Sequence, residues 1–175
     1  MFLDIRPVYG DMELYGRLLA SIHECVTEEA VRHLAHHAIA VRIPIGIFQL
    51  KSLDRGLDLK ELGIFPIVNG IRVLTVENRI LEVVNTRDRI EALHAMGALG
   101  HGTHADLLEC YEFLQSLRLK HQARQIMDNR EVTQVTDRMR IHELDKMDLL
   151  ILKEVLKMTS SFQNFLRNRY GVGGV

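Results

Sequence analysis

Tryptophan is absent from this 175-residue chain, and proline occurs only three times. So few helix breakers, set among strings of Leu, Ala, Glu and Arg, favour helix over sheet. The only cysteines, Cys25 and Cys110, show no paired spacing. A disulfide framework is thereby excluded, and the reading is a reduced chain with two buried thiols. No apolar run approaches the ~20 residues of a membrane span, and the N-terminus lacks a signal-peptide pattern. A cytoplasmic location with no membrane partner is therefore expected. Formal net charge is only -1, which argues against a broad nucleic-acid footprint, and no nucleic-acid partner is expected. There is no Asp-x-Asp pair, no Gly-Ser followed by paired carboxylates, no glycine-rich phosphate loop and no GxSxG. A complete catalytic apparatus is missing.

What is present is ordinary globular composition, 47% hydrophobic and 26% charged, enough for one core. The most structured grammar lies in Asp58–Glu77, DLKELGIFPIVNGIRVLTVE. Asp58 is placed to cap the turn 59–62, and Gly63 to end it with positive φ. Pro66 sits where a second helix can start without losing a hydrogen bond. Ile67, Ile71 and Leu74, with Val68 and Val76 half a turn off, form an apolar stripe that also carries Arg72. The pattern predicts a re-entrant corner inside a bundle. Arg72 must find a partner there, with Asp58 and Glu77 the nearest candidates.

Elsewhere the chain reads as follows. Phe2–Val8 resembles a strand, or an extended arm packed on the bundle. Asp11 caps a helix of about 12–26, with Leu14, Leu18, Leu19 and Ile22 inward. Thr27 caps the next, about 28–42, with Ala30, Val31, Leu34, Ala38 and Val41 inward. A break at 43–56 holds Lys51 and Arg55. Asn85 opens a short helix with Ile90, Leu93 and Met96 inward, stopped by Gly97. Thr103–Asp106 resembles a capping box for a long helix of about 104–127, with Leu107, Leu108, Tyr111, Leu114, Leu117 and Ile126 as its core positions. After a polar connector, Asp145 caps a last long helix, 146–169, with Gly171 beyond its end. Gly171–Val175 reads as a frayed tail. The expected fold class is all-α, a helical bundle with two long C-terminal helices and a short N-terminal strand or arm.

Two polar clusters carry chemistry. His33, His36 and His37 lie at i, i+3 and i+4, the spacing of paired metal ligands. No HExxH accompanies them and no carboxylate completes a set, so they are read as surface groups and no metal site is assigned. His101 and His104 are read as polar loop residues at the start of the long helix. Arg118, His121 and Gln122 share one helix face, extended by Gln125 and Asn129. That face is either a polar stripe in water, hydrogen-bonded to neighbouring helices, or a surface that binds anions or bases. A helical nuclease with Arg and His four to six residues apart is set aside, since only two residues separate Arg118 from His121.

Taken together, Ile43–Phe48, DLKELGIFPIVNGIRVL, Asn85-Thr86 with Arg89-Ile90, YEFLQSLRLKHQ, Asp128-Asn129 and Leu144–Phe162 resemble the nucleotidyltransferase substrate-binding domain. That helical module follows a nucleotidyltransferase domain similar to that of the PII-uridylyltransferase. Bacterial members often carry cyclic-nucleotide-binding and CBS domains and are called signal-transduction proteins. The resemblance covers residues 12–171. It implies that 1–10 is the closing strand of the nucleotidyltransferase domain, that 11–171 is the helical domain and that 172–175 is a tail. It further implies that Asp4 is a remnant third metal carboxylate of two-metal chemistry whose other carboxylates lie upstream. Asp58, Lys60, Arg72, Arg118, His121, Gln122 and Asn129 would form the substrate-binding face. Mg²⁺ and a nucleoside triphosphate would belong to the parent enzyme, with no cofactor in this chain and no activity from it alone. The expected partners are the upstream catalytic domain, an acceptor protein or small molecule, and a second copy of the chain. The alternative is a non-catalytic dimerisation or signal-relay module.

Overall fold

The computed structural model describes residues 4–45, 56–128 and 134–173. Helix dominates: α1 (Met12–Glu24), α2 (Glu28–Ala38), α3 (Phe65–Glu77), α4 (Thr86–Ala95), α5 (His101–Asp128) and α6 (Lys146–Tyr170). The described fold is all-α apart from one antiparallel ladder, β1 (Leu57–Asp58) against β2 (Arg138–Met139), with Leu57 opposite Met139 and Asp58 opposite Arg138. Among residues 4–8 no strand forms, and the segment lies on the bundle as the expected arm, with Asp4 meeting Arg72 and Arg89 and the Ile5 carbonyl accepting from Tyr15; Phe2 and Leu3 lie outside the described residues.

Helix α3 is the hub, packed by α2, α4 and α6. Ile67, Ile71 and Leu74 are fully buried, and so are Val73, Thr75 and Val76, leaving little of its circumference to solvent. Burial of each large aliphatic side chain contributes about 1.5–3 kcal/mol. Helix α5 adds Leu107, Cys110, Leu114 and Leu117, and α6 adds Leu152, Val155, Leu156, Phe162 and Leu166.

The predicted corner at 58–66 does not form. Asp58 does cap its turn, accepting from the Glu61 amide at 2.9 Å. The chain then runs through a π-helical turn, Lys60–Ile64, straight into α3, the amide of Phe65 donating to the carbonyl of Lys60. Gly63 stops nothing. A Cβ there would lie 2.8 Å from a methyl of Leu114, so glycine permits close approach of this turn to α5. Gly70 does the same against α6, where a Cβ would meet Phe162 at 2.4 Å and Leu166 at 2.7 Å.

Side-chain caps form at Asp11, Thr27, Asn85 and Asp145, each accepting an amide of its helix. Gly97 and Gly171 adopt positive φ beyond α4 and α6, as expected. Several inward assignments fail. Helix α1 buries no residue, Leu14 is 61% exposed and Leu18 is 40% exposed. Met96 and Ile126 are exposed too, because a single-face stripe says nothing about whether a neighbour covers it. Cys25 is exposed and only Cys110 is buried, which corrects the two-thiol reading. Val172 is buried and its amide donates to the Arg167 carbonyl, so the tail is docked at that residue. Helix α5 begins at His101 rather than His104, and the expected capping box falls within its first turn.

Candidate functional site

The polar face of α5 meets the connector that precedes α6. Arg118 Nε donates to Asp137 Oδ1 at 2.6 Å, and Gln122 Nε2 donates to the same oxygen at 2.7 Å. His121, buried, donates from Nε2 to the Arg138 carbonyl at 2.8 Å, with Glu143 3.6 Å from its other nitrogen. Gln125 exchanges two hydrogen bonds with the main chain of Thr136. Asp137 also accepts, through its carbonyl, from the amide of Leu59 at 3.0 Å. Arg138 in turn approaches Asp58 at 3.9 Å. Asp58, Arg118, His121 and Gln122 are thus brought together around 136–138, each with a hydrogen-bond partner in the chain itself. Lys60 rests over the Phe65 ring, 5.2 Å from its centre. Asn129 lies outside the described residues, as do Lys51 and Arg55.

Arg72 belongs to a different constellation. It pairs neither with Asp58 nor with Glu77; Glu77 is held by Arg169 at 3.0 Å and by the Tyr170 hydroxyl at 2.8 Å. Burial, with Glu77 beside it, pushes that hydroxyl well above its ordinary pKa. Arg72 instead grips Oδ2 of Asp4, while its Nη1 donates to Asn69 at 3.0 Å. The other oxygen of Asp4 accepts from Arg89 Nη1 at 2.7 Å. Arg89 is 2% exposed, and its Nε donates to the Val83 carbonyl at 2.6 Å. Two guanidiniums from adjacent helices therefore converge on one carboxylate. The Nε–H of Arg72 is buried with no hydrogen-bond partner, a donor beyond those that Asp4 and Asn69 satisfy. Sequence reasoning did not single out Arg89 as a site residue. The available signal was its position beside the core residue Ile90, where a buried cation needs an anionic partner.

Both oxygens of Asp4 face guanidiniums, and no second carboxylate groups with it among the described residues. The histidines of α2 are exposed, His33 and His37 meeting edge to face at 4.9 Å. Two surface grooves use other residues: one of about 380 Å³ is lined by Arg32, Arg79 and Arg169, and one of about 460 Å³ by His36, Arg42 and Gln163. No helix of the described residues is long and apolar enough to cross a membrane.

A family model described as "Putative nucleotidyltransferase substrate binding domain" matches residues 28–170. No curated protein matches the chain, and no solved structure matches it.

Proposed function

We propose, from the premise that this chain belongs to the family of nucleotidyltransferase substrate binding domains, that Arg72 and Arg89 are its anion-recognition pair. The observation that carries this reading is the convergence of both guanidiniums on Asp4. A carboxylate held in that fork presents the negative charge and paired acceptor oxygens that the phosphate or carboxylate group of a substrate also presents. Asp4 thus stands in for the anion. Arg89 is positioned by burial and by the Val83 carbonyl, so its orientation costs little on binding. Arg72 is the more accessible partner and supplies the unused Nε–H.

On this reading the domain serves a PII-uridylyltransferase-like catalytic domain of a bacterial signal-transduction protein, and the segment carrying Asp4 adjoins that domain. Mg²⁺ and the other metal carboxylates belong to the catalytic domain, and the chain alone transfers no nucleotide. The cluster Asp58, Arg118, His121 and Gln122 keeps the connector in place and supports the site without touching substrate.

The test measures binding of a fluorescent nucleoside triphosphate, with pyrophosphate as competitor, to the purified chain. Asp4→Asn should raise affinity by freeing the fork, and Arg72→Ala in that background should lower it at least tenfold. Equal affinity in both variants would sink the proposal. A dimerisation module is the second reading, favoured by the exposed Met12, Leu14 and Leu18 of α1. Light scattering distinguishes it: a dimer that Leu14→Glu with Leu18→Glu converts to a monomer supports that reading, and a monomeric parent chain rejects it.

A further inference from the structure

His94, near the C-terminal end of α4, stacks on His104 in the first turn of α5, with ring centres 4.2 Å apart. His101, one helical turn before His104, completes the group, and one potential ligand nitrogen from each of the three lies within 4.8 Å of the others. Gly97, with φ of +77°, turns the chain between the two helices and so brings these residues together.

The hydrogen bonds around the group select the tautomers. His94 Nδ1 lies 3.0 Å from the Leu99 carbonyl, which can only accept, so Nδ1 carries the proton and Nε2 keeps its lone pair. His104 Nε2 lies 2.8 Å from a carboxylate oxygen of Glu91, so Nε2 carries the proton and Nδ1 keeps its lone pair. That Nδ1 is buried and has no hydrogen-bond partner. A carboxylate or carbonyl behind the far nitrogen of each imidazole is the arrangement that orients histidine ligands in metal sites and raises their basicity. An unused lone pair in a stacked pair of rings is otherwise a desolvated acceptor with nothing to offset it. Exposed His101 is free to swing inward and supply the third nitrogen.

We propose that His94, His101 and His104 bind a divalent transition cation of the zinc class. The ligands are His94 Nε2, His104 Nδ1 and a ring nitrogen of His101, and Glu91 and the Leu99 carbonyl hold the first two from behind. Imidazole donors suit zinc, copper, nickel and iron rather than magnesium or calcium. Three protein nitrogens leave the fourth tetrahedral position of zinc to water or to an exogenous ligand. Zn–N bonds of about 2.0–2.1 Å set tetrahedral ligand nitrogens roughly 3.3 Å apart, so the present 4.8 Å envelope closes on binding and the stacked rings fan toward the ion. The positive end of the α5 dipole opposes the cation weakly, and the Glu91 carboxylate offsets it. The site would clamp α4 to the start of α5.

The experiment titrates the EDTA-stripped chain with Zn²⁺ by calorimetry and with Co²⁺ by visible absorption. A single equivalent should bind, with tetrahedral d–d bands for Co²⁺. His94→Gln and His104→Gln should each weaken binding at least tenfold, and Glu91→Gln should weaken it about 10–100-fold, the usual loss for a partner behind a ligand. His33→Asn with His37→Asn should leave it unchanged. Affinity should fall as the pH is lowered, because protons compete with the metal for the ligand nitrogens. If the half-buried variants do not fold, the exposed variant His101→Ala carries the same expectation. The proposal is overturned if no binding is seen, or if binding survives His94→Gln with His104→Gln, or if it follows His33 and His37.

Discussion

Arg89 Nη1 lies 2.7 Å from Oδ1 of Asp4, a contact that spans 85 residues and ties the N-terminal segment to α4. The pair is lopsided, since Arg89 is 2% exposed and Asp4 40%. Removing the carboxylate takes an anionic partner from a buried cation. Asp4→Ala should therefore destabilise the chain by about 1.5–3 kcal/mol, the scale of hydrogen bonds to charged groups. Arg89→Met, which replaces the charge by an apolar chain of similar length, should cost less than Arg89→Ala. Urea unfolding monitored by circular dichroism orders the three; Asp4→Ala within error of the parent would show that the pair contributes nothing.

Gly70 is where α3 touches α6. Gly70→Ala forces Phe162 or Leu166 to move, because the new methyl would sit 2.4 Å and 2.7 Å from their side chains. An overpacking cost of about 1–3 kcal/mol is expected despite the better helix propensity of alanine. Phe162→Leu should recover part of the loss in the double variant, so a cycle of the four proteins gives a non-zero coupling. Simple additivity would show that the two helices do not press on each other here.

Asp137 is the hub of the connector, accepting from Arg118 and Gln122 through its carboxylate and from Leu59 through its carbonyl. Arg118→Ala and Asp137→Ala should each lower stability by about 1.5–3 kcal/mol, the range for hydrogen bonds to charged groups. The double variant should lose less than the sum. Amide hydrogen exchange should quicken at Leu59 and across 136–139. Unchanged melting temperatures for both single variants would instead favour a face kept for a ligand.

Cys110 and Cys25 should react at very different rates. Burial, helped by the nearby Asp106 and Glu109 carboxylates, pushes the Cys110 thiol up to about 12. The thiolate is the nucleophile, so Cys110 stays inert at pH 8 while exposed Cys25 reacts with a disulfide reagent. The folded chain should yield a single fast equivalent, and a second on unfolding. The sign of the accompanying linkage is fixed: the unfolded thiol loses its proton first, so folding stability is intact below pH 9 and declines as pH rises from about 9 toward 12. Two fast equivalents at pH 8 would contradict the burial of Cys110.

Local chemistry was legible in the sequence. Asp11, Thr27, Asn85 and Asp145 cap their helices because each bond spans only two or three residues, and Gly97 and Gly171 turn the chain where φ must be positive. The all-α class and the two long helices follow from those caps and from the apolar stripes between them. Tertiary structure decided everything that depends on what lies across a helix. A period of 3.6 residues says which side chains share a face and not which neighbour covers it, so of the α1 stripe Leu19 and Ile22 pack against the core while Leu14 and Leu18 are exposed. For the same reason Gly63 was read as a stop and is a point of contact with Leu114. The polar face of Arg118, His121 and Gln122 found its partners in the connector, and Arg72 found Asp4 at a separation of 68 residues. Which charges meet is set by packing of the whole core, a long-range property that no local window of sequence contains.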